Sequence, residues 1–103
     1  MILGPSGQNI YPEIVEGRIN NMPYVVESVV VERKGRLVAL VYADKEALKK
    51  DGVEGEEIDK LMDKNRHHLN NHLPKFMQVA GFELVENEFE KTPKKSIKRF
   101  LYE

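Results

Sequence analysis

Two apolar runs separated by a Lys-Gly pair limit what this chain can fold into more than any other feature. Valine dominates residues 24–33, and residues 37–42 read Leu-Val-Ala-Leu-Val-Tyr, with no charged side chain. β-Branched residues favour strands, and Lys34-Gly35 supplies a short turn between them. We therefore predict a β-hairpin. Because its second strand is apolar on both faces, we expect that strand to be covered on both sides and the sheet to be central.

One short helix is predicted before the hairpin and a second one after it. Pro12 suits the first turn of one helix, which the Asn-Asn-Met-Pro segment at residues 20–23 ends. Asp44 can cap the other helix, over residues 45–50, and Asp51-Gly52 closes it.

A longer helix and a third strand complete the predicted fold. Apolar residues recur at three- and four-residue spacing between about residue 55 and residue 72, which favours a helix that packs on the sheet. Residues 78–86 supply the third strand. Residues 1–103 are therefore interpreted as a single α+β domain. It has a small three-stranded sheet packed against helices, a glycine-bearing loop at the N-terminus and a basic loop at the C-terminus.

Charge balance and the absence of cysteine narrow the functional classes. The 103 residues carry 16 basic and 17 acidic side chains, so there is no global positive field to attract nucleic acid. A chain without cysteine has no disulfide, thiolate nucleophile or sulfur-ligated metal, which fits a reducing cytosol. No apolar run approaches the roughly 20 residues that a membrane helix needs. We expect a cytoplasmic domain with no nucleic-acid partner and no transmembrane segment.

Two loops have the composition of ligand-binding segments. Residues 4–12, the glycine-bearing loop, contain glycines, prolines and small polar residues, so we expect no regular structure there and a bare backbone that a ligand can approach. Residues 91–99, the basic loop, contain four lysines and an arginine. A strand before it and Phe100-Leu101-Tyr102 after it predict a loop pinned at both ends. On residue chemistry alone, the basic loop indicates an anion-binding site.

Other groupings of reactive side chains have simpler explanations. His68 and His72 lie four apart on the predicted long helix, but the residues between them lack the glutamate of a zinc-protease helix, and no metal site is predicted. The carboxylates at residues 54–59 open the same helix, where the helix dipole favours negative charge. The sequence also lacks a serine-histidine-acid pattern with nucleophile-elbow glycines.

Taken together, the two loops resemble those of the C-terminal subdomain of the AMP-forming acyl-CoA synthetases, members of the adenylate-forming enzymes. Residues 7–12, Gly-Gln-Asn-Ile-Tyr-Pro, are similar to the family's Gly-Glu-Asn-Ile-Tyr-Pro loop. Residues 92–99, Thr-Pro-Lys-Lys-Ser-Ile-Lys-Arg, are similar to its Thr-Pro-x-Gly-Lys-Ile-x-Arg loop. Residues 73–76 and 79–85 also look like the family. Within the family, the chain looks most like the long-chain fatty acid-CoA ligases.

This resemblance implies a two-step reaction in an intact parent enzyme. ATP and a fatty acid give an acyl-adenylate and pyrophosphate with Mg²⁺, and the thiol of coenzyme A then displaces AMP. The partner is a large N-terminal adenylation domain, against which the small domain swings between two poses. The resemblance assigns Ser6, Gly7, Gln8 and Asn9 to the coenzyme A channel. It assigns no cofactor and no metal to this chain alone.

The basic loop departs from the family pattern at the position that matters most for catalysis. Aligned without gaps, Ser96 occupies the place of the family's catalytic lysine, and Lys95 that of its glycine. Since a serine cannot supply a cation, the candidates are Lys95 and its neighbours Lys94 and Lys98. Without the large domain the isolated chain is expected to be inactive, with Met1 marking a truncation. The alternative is a non-enzymatic anion- or protein-binding module that keeps the fold.

Overall fold

The computed structural model describes residues 2–3 and 7–103, and no helix in that part of the chain is long and apolar enough to cross a membrane. The regular elements, in chain order, are β1 (Ile2–Leu3), β2 (Asn9–Ile10), α1 (Pro12–Ile19), β3 (Val25–Arg33), β4 (Arg36–Ala43), α2 (Lys45–Lys50), α3 (Glu56–Asn70) and β5 (Gly81–Val85). Two 3₁₀ turns follow α3 and the basic loop, at Lys75–Met77 and Arg99–Leu101.

A three-stranded mixed sheet lies at the centre of the domain, in the order β3-β4-β5. β3 and β4 form the antiparallel hairpin, whose turn places Lys34 at a φ of 53° and Gly35 at a φ of 76°. Two positive φ values match the twist of the flanking strands in a tight hairpin. β5 pairs parallel to β4, with Val38 opposite Gly81. A parallel neighbour needs a crossover connection, and α2 and α3 provide it.

The helices cover one face of this sheet. The buried residues of this core are Ile10, Val15, Ile19, Val30, Leu37, Ala39, Val41, Ala43, Leu48, Met62, Leu69, Leu73 and Val79. α3 contributes Met62 and Leu69, and Ile58 and Leu61 pack against the same core. The one polar side chain buried in α3, Asn65, donates a hydrogen bond to the carbonyl oxygen of Pro23 at 3.2 Å.

The segment that follows β5 covers the other face. Val29, Val31, Leu40 and Phe89 are buried there, with Tyr42, Val85, Ile97 and Tyr102 packed around them. Because side chains alternate along a strand, Val30 contributes to the helical side while Val29 and Val31 contribute to this second core. The basic loop is thus built onto the sheet face opposite the helices.

The predicted fold class is confirmed, and several local predictions hold. β4 is central and covered on both faces, as its apolar run predicted. Asp44 caps α2 by accepting a hydrogen bond from the backbone N–H of Ala47 at 3.0 Å, and Gly52, at a φ of 74°, follows the helix.

Three local predictions were wrong. Residues 9–10 are not irregular, because Asn9 and Ile10 pair with Leu3 and Ile2 as a short antiparallel sheet. The third strand is five residues long rather than spanning 78–86, because the chain before it is held by α3. The apolar anchor after the basic loop is Tyr102 alone, since Phe100 is 72% and Leu101 47% exposed.

Candidate functional site

The basic loop is a tight hairpin. Lys91 and Ile97 form an isolated antiparallel bridge, and the backbone N–H of Thr92 donates to the carbonyl oxygen of Ser96 at 2.8 Å. At the tip, the N–H of Lys95 donates back to the carbonyl oxygen of Thr92 at 2.8 Å. Pro93 occupies the second position of this turn, where its fixed φ is favourable. These hydrogen bonds fix the backbone from which the side chains of the tip extend.

Lys95 adopts a left-handed backbone conformation, with a φ of 66°. A hairpin turn of this kind commonly ends in a left-handed residue that forms a bulge, and glycine is the usual occupant. The family resemblance placed a glycine at this position. The backbone of Lys95 therefore has a conformation that glycine adopts more readily than lysine.

The base of the basic loop is fixed to the second core. The N–H of Lys98 donates to the carbonyl oxygen of Glu90, and the N–H of Glu90 donates to the hydroxyl of Tyr102, both at 2.8 Å. The ring of Tyr102 stands edge-on to that of Phe89, with centroids 4.9 Å apart. These contacts hold both ends of the loop, the second of them through Tyr102.

Glu27 on β3 holds the first residue of the basic loop. Its carboxylate accepts a hydrogen bond from the Lys91 ammonium at 2.9 Å and another from the backbone N–H of Phe89 at 3.1 Å. The hydrogen bond that the Lys91 ammonium donates to Glu27 raises the pKa of Lys91. Lys91 is thus engaged in a structural ion pair. Within residues 2–3 and 7–103, Lys94, Lys95 and Lys98 have no such partner.

Arg99 ties the far end of the basic loop to α1. Its guanidinium donates to the carboxylate of Glu16, which is only 6% exposed and also accepts the backbone N–H of Val30 at 2.6 Å. Glu13 lies 3.9 Å from the Arg99 Nε. Burial alone would lower the pKa of Arg99, but the hydrogen bond and charge of Glu16 outweigh it and hold that pKa above its ordinary value.

The glycine-bearing loop leads directly into α1, so the Glu16–Arg99 pair connects the two candidate loops. Gly7 has a φ of 82°, and a side-chain Cβ at this position would meet no atom of the described residues within 4 Å. Gln8 is half-buried, and its Oε1 is buried without a hydrogen-bond partner in the described chain. Asn9 is exposed on β2. Ser6, the remaining residue assigned to this loop, lies outside the described residues.

The histidines are not brought into a multidentate site. The rings of His68 and His72 are 5.0 Å apart, and His67 lies 3.4 Å from Asp63. Across the described ranges, no three histidine, cysteine or carboxylate side chains are grouped so that they could hold a metal ion.

Sequence reasoning missed the two glutamates that orient the basic loop. Glu27 interrupts a valine-rich strand, which is a signal that an acidic side chain there has a specific partner. Glu16 gives no such signal, because an acidic side chain near the start of a helix is already favoured by the helix dipole. Neither partner could be identified, because Glu16 and Arg99 are 83 residues apart and Glu27 and Phe89 are 62 apart.

No protein-family model matches the sequence, and no curated protein does either. Solved structures match it well. An acyl-CoA synthetase of Brucella canis is 29% identical with a TM-score of 0.70, over 93% of this chain and 17% of that one. ATP-bound MatB of Rhodopseudomonas palustris is 24% identical with a TM-score of 0.71, over 98% and 18%. A fatty acyl-CoA synthetase of Mycobacterium tuberculosis is 23% identical with a TM-score of 0.62, over 98% and 18%.

These matches define a small α+β unit that corresponds to one segment of much larger enzymes, because the chain spans less than a fifth of their length. The resemblance to the AMP-forming acyl-CoA synthetases is confirmed. The chain has the fold of a segment of these adenylate-forming enzymes.

Proposed function

We propose that residues 1–103 are the mobile C-terminal domain of an AMP-forming fatty acyl-CoA ligase of the cytoplasm. In this proposal the large N-terminal adenylation domain of the same parent binds the fatty acid, and the small domain supplies one loop to each half-reaction. One similar structure is a fatty acyl-CoA synthetase, which supports the acyl class, and the sequence resemblance supports a long chain. Without the large domain this chain is inactive.

The observation that carries the proposal is that some cations of the basic loop form ion pairs and others do not, among the described residues. Lys91 and Arg99 are used to fix its two ends, on Glu27 and Glu16. Lys94 and Lys95 are exposed at the tip and Lys98 is half-buried at the base. The loop is held in place, and the ammonium groups at its tip have no ion-pair partner among the described residues. This arrangement suits charge stabilisation in a partner's active site, where prepositioned cations are most effective.

The glycine-bearing loop has a complementary role in the second step. Gly7 offers bare backbone that no described side chain approaches within 4 Å of a Cβ position, and Gln8 carries a buried amide oxygen without a partner in the described chain. Such atoms are rare in folded proteins and suggest a missing donor. We place residues 6–9, Ser6 included, along the channel for the pantetheine arm of coenzyme A.

ATP, Mg²⁺ and coenzyme A belong to the intact parent in this proposal. ATP supplies the AMP group, and the ATP-bound state of a similar structure supports its use. The cationic tip of the basic loop fits an anionic ligand. The described carboxylates, in contrast, do not form a set that would hold Mg²⁺, so we assign the ion to the parent's other residues.

The test separates the two half-reactions in the intact enzyme that carries this domain. The rate of acyl-adenylate formation is measured from the pyrophosphate released, and thioester formation is measured in a separate assay. Both assays are run for Lys94→Ala, Lys95→Ala and Lys98→Ala. We expect the variant that removes the working cation to slow adenylation on the order of a hundredfold. Ser96→Lys should raise the rate, because it returns a cation to the family's position.

Lys60→Ala on the exposed side of α3 is the matched control, because it also removes one surface lysine. If none of the three loop variants slows adenylation more than this control, the basic loop is not catalytic in that step. Ser96 is the specific observation in favour of the alternative, a non-enzymatic anion- or protein-binding module. If this alternative holds, the chain binds an anion or a protein, and the intact parent forms no acyl-adenylate.

A further inference from the structure

The C-terminal ends of α1 and α3 meet at a cavity of about 330 Å³ that has no part in the proposed function. Arg18 and Met22 line it from the end of α1 and the turn that follows, and His68, Leu69 and His72 line it from the end of α3. The carbonyl groups at a helix C-terminus carry a partial negative charge, which stabilises a nearby cation. Two such ends beside one cavity favour a cation there more than either end would alone.

His68 and His72 lie one helical turn apart at this end of α3. Asn71, which ends the helix, keeps helical backbone angles, with a φ of −64° and a ψ of −19°. The backbone N–H of His72 donates to the carbonyl oxygen of Leu69 at 3.0 Å, so the chain stays coiled through His72. Residues four apart on a helix are neighbours, and the centroids of the two imidazole rings are 5.0 Å apart.

This separation suits a metal ion held between the two rings. An ion bonded to one nitrogen of each imidazole at about 2 Å lies about 3 Å from each ring centroid. Centroids that are 5.0 Å apart then subtend an angle of about 100° at the ion, between the angles of a square-planar and a tetrahedral site. Both side chains are exposed, so the rings can turn toward a shared ion without repacking the core.

The charged and titratable groups around this pair limit what it can bind. His67 lies outside the cavity lining, with its Nε2 3.4 Å from the Asp63 carboxylate. Arg18 opposes a metal ion, but its side chain is exposed and its guanidinium can turn into solvent. No three histidine, cysteine or carboxylate side chains of the described chain are grouped as a metal site. The pair therefore offers two ligands, and water has to complete the coordination.

We infer that His68 and His72 form a two-ligand site for a divalent transition-metal ion, with Cu²⁺ bound most tightly. Imidazole is a common ligand of copper, nickel and zinc, and the affinity of such sites peaks at Cu²⁺. Mg²⁺ prefers oxygen ligands and is not expected to bind. The spacing of the histidines did not predict this site, because the two helix ends converge only in the folded chain. The inference is independent of the adenylation reaction and of the basic loop.

The test uses the 103-residue chain labelled with ¹⁵N and titrated with the chloride salts of Cu²⁺, Ni²⁺ and Mg²⁺. Cu²⁺ is paramagnetic, so it broadens the signals of the nuclei closest to it. We expect this broadening at residues 18–23 and 67–73. Titration calorimetry gives the affinities, which should be highest for Cu²⁺, lower for Ni²⁺ and too weak to measure for Mg²⁺.

Variants then identify the ligands. Even groups that only hydrogen-bond to a metal ligand change metal affinity about tenfold to a hundredfold, so His68→Ala and His72→Ala should each weaken Cu²⁺ binding by at least about tenfold. Both positions are exposed, and the spectrum without metal verifies that each variant is folded. His67→Ala is the matched control, because it also removes one exposed histidine of α3 and should leave the affinity unchanged. Arg18→Ala should tighten binding, by up to about fivefold, because it removes a like charge.

Three results would overturn the inference. Weakening by His67→Ala as large as that by His68→Ala would show that copper binds the histidines regardless of their spacing. Broadening confined to residues near the amino terminus would place the ion on the terminal amine. Equal affinities for Mg²⁺ and Cu²⁺ would show a general attraction of cations to carboxylates in place of recognition by imidazole.

Discussion

Lys95 occupies a backbone conformation that a side chain disfavours, at the tip of the loop proposed to work in catalysis. A residue other than glycine in the left-handed region costs roughly 1 to 2 kcal/mol. Strain of this kind often lies at functional positions, where the surrounding structure enforces it. Here Thr92 and Ser96 fix the turn from either side. The strain makes Lys95 the residue whose role can be tested most directly.

Replacing Lys95 by glycine should therefore stabilise the domain. We expect Lys95→Gly to raise the free energy of unfolding by about 0.5 to 1 kcal/mol, since relief of the left-handed strain exceeds the added entropy of the unfolded chain. Chemical denaturation measures this change. Lys94→Gly is the control, because Lys94 has no positive φ and should lose stability instead. If the Lys95→Gly variant is no more stable than the unsubstituted domain, the backbone of Lys95 is not strained.

The roles of Glu16 and Glu27 mark the limit of residue-level prediction from sequence. Caps and turn formers act on neighbours, so Asp44 and Gly52 could be assigned from the sequence. Glu16 and Glu27 act on residues brought near only by the finished fold. Their chemistry was visible in the sequence, but their partners were not.

At the scale of elements, the segment after β5 covers the face of the sheet that the helices do not cover. Residues 86–103 contain no regular element longer than a 3₁₀ turn, yet they contribute Phe89, Ile97 and Tyr102 to the second core. The basic loop is held up by this irregular segment. Its position therefore depends on a few aromatic and aliphatic contacts.

Phe89→Ala should weaken both the domain and the position of the basic loop. Phe89 is 3% exposed, and removal of a buried phenyl ring typically costs about 3 to 5 kcal/mol. Denaturation measures the stability, and hydrogen exchange at Thr92 and Lys95 reports on the loop. Leu84→Ala is the control, because Leu84 is 39% exposed and should cost far less. Equal losses in the two variants would argue against a second core centred on Phe89.

The elements themselves differed in how predictable they were. α2 and the β3–β4 hairpin follow from local signals, namely a capping aspartate, glycines at positive φ and continuous apolar runs. The parallel pairing of β5 has no local signal, because periodicity reports which face of a strand is buried and not which neighbour it joins. The β1–β2 pair was missed because each strand is only two residues long.

At the scale of the whole molecule, two groups make stability sensitive to alkaline pH. The hydrogen bond to Glu27 raises the pKa of Lys91, and the hydrogen bond to Asp51 raises the pKa of Tyr24. A pKa raised by folding means that the folded state holds the proton more tightly than the unfolded state. The stabilisation is complete below the ordinary pKa values, near 10.5 and 10.0, and is lost as pH rises through the raised ones.

We therefore expect the free energy of unfolding to fall above about pH 10. Denaturation between pH 8 and pH 11 measures it, with pH values chosen around the ordinary pKa of lysine and tyrosine. Glu27→Gln removes the charge that Lys91 faces and should make the alkaline fall shallower. Glu54→Gln is the control, because Glu54 is exposed and has no ion pair in the described chain. If the free energy of unfolding of Glu27→Gln falls with pH as steeply as that of the unsubstituted domain, Lys91 does not contribute to the alkaline loss of stability.

The fold class followed from sequence because an apolar run, a helical stripe and two glycine turns all indicated the same α+β arrangement. The basic loop could be located for the same reason, and its family resemblance gave it an expected task. The orientation of that loop could not be predicted. It depends on Phe89, Tyr102 and two distant glutamates acting together, which only the packed structure brings into contact.

Described residues close to the two ends of the chain lie near each other beside β3. Ile2 and Leu3 line a cavity of about 470 Å³ together with Arg99 and Glu103. Neighbouring termini allow a protein to be circularly permuted, with a short linker across the old ends and new ends in an exposed turn. The turn at Gly52, after α2, is exposed and suits that opening. A permuted chain would present the basic loop in the middle of the sequence while keeping every strand neighbour of the sheet.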